Sequence, residues 1–163
     1  MVARKPISTA KHRKRPATSP LLRSAVEVLE HGLWHFFRSD TATDMKFAIM
    51  HVDQAIELIL KERVRAGGKS INKPNNPKET LGIWSLYEIL EKDLSVAIAE
   101  KADLELIHEE RNAIQHKYLN PSAEDASFHI SNAVKFLQRF LKDELKVDIY
   151  DHVPSQFLDD FLL

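Results

Sequence analysis

The residues best suited to chemistry are Arg111 and His116, which lie five positions apart near the end of a strongly helical segment. Arg111 falls on an apolar stripe whose members recur at spacings of three and four, the period of one helix face: Leu104, Ile107, Ile114 and Tyr118. A guanidinium on such a stripe is costly to bury unless it meets an anion or lines a cleft. Imidazoles and amides fan out beside it, from His108, Asn112, Gln115 and His116. This flank predicts a site for a negatively charged ligand.

The spacing Arg-Asn-x3-His-x-Tyr, formed by Arg111, Asn112, His116 and Tyr118, resembles the active-site signature of HEPN-domain ribonucleases. These include the toxin partners of minimal nucleotidyltransferases. The resemblance covers roughly residues 20–147 and implies a metal-independent endoribonuclease, a toxin or defence RNase, that uses no cofactor. It also implies a homodimer whose two motifs face each other across a composite cleft. In the toxin–nucleotidyltransferase pairs the motif tyrosine accepts nucleotide groups from the antitoxin, and Tyr118 matches that position.

The residue types suit the implied reaction. Cleavage at a 2′-hydroxyl needs proton transfer, which His116 can supply because the pKa of an imidazole lies near neutrality. The planar fork of Arg111 matches a phosphate and offsets the negative charge that grows in the transition state. Asn112 could hold the phosphate or the imidazole, and Tyr118 could donate a hydrogen bond or stack on a base.

One helix cannot easily bring both catalytic groups to one phosphate, because five residues on an ideal helix rotate Arg111 and His116 about 140° apart. Either the helix end is distorted near Asn120-Pro121, or two chains contribute to one site. A two-fold interface would also supply a second histidine. We therefore predict a homodimer with the motif helices at its interface.

Supporting residues come from two other regions. Asp53, or Glu57 one turn later, is predicted to reach across the bundle and orient Arg111 as a charge-assisted partner; Asp53 could equally be a partly exposed carboxylate. Basic residues beside the motif and in the loop at 67–79 are candidate RNA contacts: Lys69, Lys73 and Lys117. That loop could also be a mobile connector.

Composition limits the remaining classes of function. Cysteine is absent, so there is no disulfide framework and no thiol nucleophile. The net charge of −1 conceals a basic segment, residues 1–20, with six Lys and Arg and no acid, so the rest carries −7. An acidic domain argues against a broad surface that coats nucleic acid. The apolar runs are too short to cross a membrane and no signal peptide opens the chain, so we expect a cytoplasmic protein.

Hydrophobic periodicity predicts an all-α fold, an up-and-down, HEPN-like bundle of about five helices. The expected organisation is a disordered basic tail over 1–19, a helical domain over 20–147 and an acidic tail over 148–163. The acidic tail could dock on its own domain or on another protein. Phe128, Phe136 and Phe140 widen the apolar surface of the last long helix and suggest a second packed side.

Two alternatives accompany the ribonuclease interpretation. The chain could be a non-catalytic helical adaptor, or a nucleotide-binding regulatory subunit of a nucleotidyltransferase. His31 and His35, four residues apart, could chelate a metal. No third ligand lies near them in the sequence, and Trp34 and Phe36 favour packing, so the sequence predicts no metal site. The expected partners are RNA, a second copy of the chain and a nucleotidyltransferase-type antitoxin.

Overall fold

A computed structural model describes residues 18–38 and 41–163 of the chain. The tail predicted over 1–19 therefore falls almost wholly outside the described residues. The described part is an all-α bundle, as the periodicity predicted, and it also contains a very small hairpin that the sequence did not predict. None of its helices is both long enough and apolar enough to cross a bilayer.

Five substantial helical segments form the bundle. They are α1 (Pro20–Arg38), α2 (Ala42–Ala66), α3 (Ile83–Glu88, continued by a π-helical turn over Ile89–Asp93), α4 (Lys101–Lys117) and α5 (Ala123–Leu145). A two-stranded antiparallel hairpin, β1 (Asn72–Lys73) and β2 (Asn76–Thr80), connects α2 to α3. After α5 come two 3-10 turns, Ile149–Asp151 and Ser155–Phe157, and a final short helix, α6 (Asp159–Leu162).

Side-chain caps fix the starts of α1, α2 and α5, whereas α4 begins after Glu100 without a side-chain cap. Ser19 accepts a hydrogen bond from the backbone N–H of Leu22 at 3.0 Å, and Pro20 takes the first helical position. Thr41 and Asp44 form a reciprocal capping box at the start of α2. Ser122 caps α5.

Helix α2 is the centre of the bundle, since it packs against α1, α3, α4 and α5. Its inner face is almost entirely apolar and supplies much of the core: Ala48, Ile49, Val52, Ala55, Ile56, Ile59, Leu60 and Val64. Asp53 is fully buried within this face. Because a buried carboxylate needs compensating partners, the packing of α2 makes Asp53 the point at which polar groups must converge.

The structure adds to the sequence interpretation in three regions. The loop at 67–79 contains most of the hairpin, which extends to Thr80, and α3 begins at Ile83. Phe136 and Phe140 are fully buried in the chain's own core, whereas Phe128 is exposed. The segment 148–163 packs on its own domain, where its apolar residues join the core or its edge: Ile149, Val153, Phe157, Leu158, Phe161 and Leu162.

Candidate functional site

Three charged or ionisable side chains meet where α4 crosses α2. The Nδ1 atom of His108 lies 3.0 Å from Oδ2 and 3.3 Å from Oδ1 of Asp53. The Nε atom of Arg111 lies 3.5 Å from the same Oδ2. His108 and Arg111 share one face of α4 because they are three residues apart. The carboxylate of Asp53 thus serves two cationic or donor groups from the facing helix.

This arrangement offsets the cost of burying Asp53. A desolvated carboxylate is tolerated when it accepts charge-assisted hydrogen bonds, and Asp53 accepts one from His108 and faces the guanidinium of Arg111. The hydrogen bond to Asp53 raises the pKa of His108, and burial of the ring and the nearby Arg111 oppose that rise. Asp53 therefore fixes the orientation of both side chains on α4.

The guanidinium of Arg111 contacts protein groups on one side and is partly exposed on the other. Its Nη1 donates to Oδ1 of the neighbouring Asn112 at 2.8 Å, and 27% of its side chain is exposed. The exposed part lines a groove of about 290 Å³ whose other wall comes mainly from α2: Phe47, Met50, His51, Gln54, Glu57, Leu58, Lys61 and Gln115. The guanidinium of Arg111 can therefore bind an anion in the groove and keep its contact with Asp53 on the buried side.

Glu57 has a different partner from Asp53. Its Oε1 accepts a hydrogen bond from Nζ of Lys61 at 2.5 Å, and the same Nζ donates to Oγ1 of Thr80 in β2 at 3.0 Å. Of the two carboxylates proposed to orient Arg111, Asp53 lies against it and Glu57 pairs with Lys61. Glu57 and Lys61 line the groove, and the hydrogen bond from Lys61 to Thr80 connects this wall of the groove to the hairpin.

The second half of the motif lies at the exposed end of α4. His116, Lys117 and Tyr118 are all exposed, and 86% of Tyr118 is accessible. The helix continues through Lys117 and ends at Tyr118, whose φ of 56° is left-handed. Because His116 is still within regular helix, no distorted helix end turns it toward Arg111. Within the described part of one chain, the two groups are not brought together.

The loop lysines do not line the groove beside Arg111. Lys69 lies 3.4 Å from Asp93, and Lys73 lies 2.5 Å from Glu79 across the hairpin. Both pairs are largely exposed, so they contribute little to stability and leave the lysines able to exchange partners. Of the three lysines proposed to contact RNA, Lys117 is the one adjacent to the motif.

The sequence interpretation placed His108 on the polar flank beside Arg111 but gave it no specific role. Its position three residues before Arg111 was a usable signal, since side chains at that spacing are neighbours on a helix. What the sequence lacked was the knowledge that Asp53 on α2 faces both of them. That pairing joins residues 55 positions apart and follows from packing alone.

The raised pKa of His108 predicts a pH-dependent contribution to folding. Its pKa in the folded state lies above the unfolded value of about 6.5. Protonation of His108 therefore stabilises the fold fully below about pH 6.5, and this stabilisation is lost as the pH rises through the folded-state pKa.

We expect the stability difference between the wild type and His108→Gln to shrink from pH 6 to pH 9 in urea unfolding. NMR titration of the His108 ring checks the direction of the shift, and Arg111→Ala should raise its pKa further. His129→Gln, on α5, is the control and should show no such trend. A His108 pKa below 6.5 would contradict the observed geometry.

The fold and site define a helical-bundle protein in which a buried carboxylate on α2 orients an arginine and a histidine on α4. Comparison of the chain with protein-family models, with curated proteins and with solved structures gives no match. The functional interpretation therefore depends on the motif and on this geometry.

Proposed function

We propose that this chain is a metal-independent endoribonuclease of the HEPN type, acting in the cytoplasm as a homodimer. The observation that carries the proposal is the state of Arg111, whose guanidinium is held by buried Asp53 and still opens into a groove. An arginine kept in place by a carboxylate behind it is preorganised for a phosphate in front. His116, exposed on the same helix, supplies the proton transfer.

The single-chain geometry supports a site made from two subunits. His116 lies in regular helix, about 140° around the axis from Arg111, so the histidine that serves one Arg111 comes from a second copy. Large apolar side chains are exposed on α4, just after it and on α5, as expected for a surface that a second copy covers: Leu106, Tyr118, Leu119 and Phe128. A two-fold interface on this surface generates two equivalent Arg111–His116 pairs.

In the proposed reaction, a histidine accepts the proton of the 2′-hydroxyl while that oxygen attacks the adjacent phosphorus. The bond from phosphorus to the 5′-oxygen breaks, and the leaving oxygen takes a proton from solvent water. Arg111 and Asn112 contact the non-bridging phosphate oxygens, whose charge increases in the transition state. The products are a 2′,3′-cyclic phosphate and a 5′-hydroxyl, with no metal ion needed.

The test is incubation of the purified dimer with single-stranded RNA in excess EDTA. We expect cleavage that leaves 2′,3′-cyclic phosphate ends and no cleavage of DNA of the same sequence, which lacks the nucleophilic hydroxyl. Protein carrying both Arg111→Ala and His116→Ala, purified identically, controls for contaminating nucleases. Absence of cleavage of every RNA tested by a confirmed dimer would overturn the proposal in favour of a non-catalytic adaptor.

The accessibility of Tyr118 favours a second role as a site of regulation. Its hydroxyl is free to react because 86% of the residue is exposed, and it lies two residues from His116. We propose that a nucleotidyltransferase-type antitoxin transfers nucleotide groups from nucleoside triphosphates to this hydroxyl: the tyrosine oxygen loses its proton and bonds to the α-phosphorus, and pyrophosphate leaves. The product would place negative charge and bulk beside the catalytic histidine. Tyr118→Phe should then keep cleavage and lose the modification.

A further inference from the structure

The structure brings a third histidine to the two that the sequence places on α1. His31 and His35 lie one turn apart on α1, and His51 on α2 faces them. One ring nitrogen from each histidine lies within 4.8 Å of the others. The sequence interpretation favoured packing over metal binding because it found no third ligand near His31 and His35. The third ligand comes from the neighbouring helix.

We infer that His31, His35 and His51 form a binding site for a divalent transition metal of the Zn²⁺ class. Three imidazoles are a donor set that suits Zn²⁺, Co²⁺, Ni²⁺ or Cu²⁺ and is poor for Mg²⁺ or Ca²⁺, which prefer oxygen. Three protein ligands leave the fourth tetrahedral position for water or an exogenous ligand. This inference is independent of the proposed ribonuclease activity.

The orientation of His35 is fixed in the way that metal sites require. Its Nδ1 donates to Oδ1 of Asp44 at 3.0 Å, which leaves Nε2 with a lone pair for a metal. Asp44 is itself buried and held by the capping box, because its Oδ2 accepts from the backbone N–H and the hydroxyl of Thr41, each at 3.1 Å. A carboxylate that orients a ligating histidine from behind is a regular feature of metal sites.

His51 brings a partly buried ring to the cluster. Its Nδ1 is buried and has no hydrogen-bond partner among the described residues. A buried polar atom without a partner has lost its interaction with water and gained nothing in return. A cation coordinated by all three imidazoles would link α1, which carries His31 and His35, to α2, which carries His51.

The spacing of the rings is compatible with metal binding after a small adjustment. Zn–N bonds of about 2.0–2.1 Å in a tetrahedron place the nitrogens about 3.4 Å apart, so the nitrogens need to approach by roughly an ångström. His31 is exposed, and its ring can make this movement by rotation about its side-chain bonds. The alternative is that the three rings are held together by packing alone and bind no metal. The rings of His31 and His35 have centroids 4.7 Å apart in an edge-to-face arrangement.

The experiment titrates Zn²⁺ into the full-length protein after treatment with EDTA, dialysis and removal of any histidine tag. We expect one Zn²⁺ per chain and a rise in the melting temperature of about 5 °C or more at saturating metal. Co²⁺ in place of Zn²⁺ should give the intense visible absorption of four-coordinate Co²⁺. His31→Ala and His35→Ala should each weaken Zn²⁺ binding by on the order of 100-fold or more.

Two controls separate metal ligation from general effects. His129→Ala removes a histidine from α5 and should bind Zn²⁺ as the wild type does. Asp44→Asn should weaken Zn²⁺ binding about 10- to 100-fold, whereas Thr41→Ala removes the cap of α2 and keeps the carboxylate, so it should have little effect. The inference is overturned if the wild type shows no saturable Zn²⁺ binding, or if His31→Ala binds Zn²⁺ with unchanged stoichiometry and affinity.

Discussion

A dimer that combines one Arg111→Ala subunit with one His116→Ala subunit is expected to cleave RNA at about half the wild-type rate, although each variant alone is nearly inactive. Loss of the histidine should reduce cleavage about 10²- to 10⁴-fold, and loss of the guanidinium about 10²- to 10³-fold. In the mixed dimer one composite site keeps both Arg111 and His116, and the other keeps neither. The rate constant for RNA cleavage in EDTA is the measurement.

The reciprocal dimer is the matched control for this prediction. It joins a wild-type subunit to a subunit that carries both substitutions, so every composite site lacks one of the two groups. It should be nearly inactive, although it contains the same number of altered residues as the mixed dimer. Both dimers can be isolated by co-expression with two different affinity tags. If the reciprocal dimer is half active and the mixed dimer inactive, Arg111 and His116 act within one chain, and the composite site is wrong.

Arg111 also supports the fold, so the variant has to be chosen with this in mind. Arg111→Ala removes a cation that faces buried Asp53, and circular dichroism should confirm that the dimer remains helical. Arg111→Lys is the conservative substitute, since an ammonium keeps the positive charge near Asp53 and loses the bidentate fork. It should fold like the wild type and still show reduced cleavage.

The starts of α1, α2 and α5 can be predicted from the sequence because the signals for them are local. Ser19 before Pro20, Thr41 three residues before Asp44, and Ser122 before an amphipathic run each satisfy backbone N–H groups within one turn. Such signals do not depend on the rest of the fold. The same holds for the stripe on α4, whose period of 3.6 residues placed Arg111 on the inner face.

The sequence could not supply the contacts between helices. The placement of His108 against Asp53, and of His51 beside His31, depends on how α2 is rotated relative to α4 and α1. That rotation results from the packing of the whole core. The same reason explains why the sequence could indicate a second packed side around Phe136 and Phe140 without showing which segment covers it. The core they enter is widened by the segment 148–163, which folds back onto the bundle.

Replacing the buried carboxylate by Asp53→Ala is expected to lower the free energy of unfolding by about 3 kcal/mol at pH 7. The change leaves the guanidinium of Arg111 and the ring of His108 facing a space from which water is largely excluded, with no anion to satisfy them. His108 can respond by losing its proton, whereas Arg111 stays charged at any accessible pH. Most of the loss should therefore come from Arg111, and urea unfolding of the purified chain measures it.

A second substitution distinguishes loss of the ion cluster from loss of packing. In Asp53→Ala combined with Arg111→Met, the unpaired cation is gone, so the double variant should be more stable than the sum of the two single changes predicts. Asp143→Ala is the exposed control, since Asp143 lies 3.8 Å from Arg139 with 54% of its side chain accessible, and it should cost less than about 1 kcal/mol. If Asp53→Ala costs no more than Asp143→Ala, Asp53 cannot be the anchor that holds Arg111 in position for a phosphate.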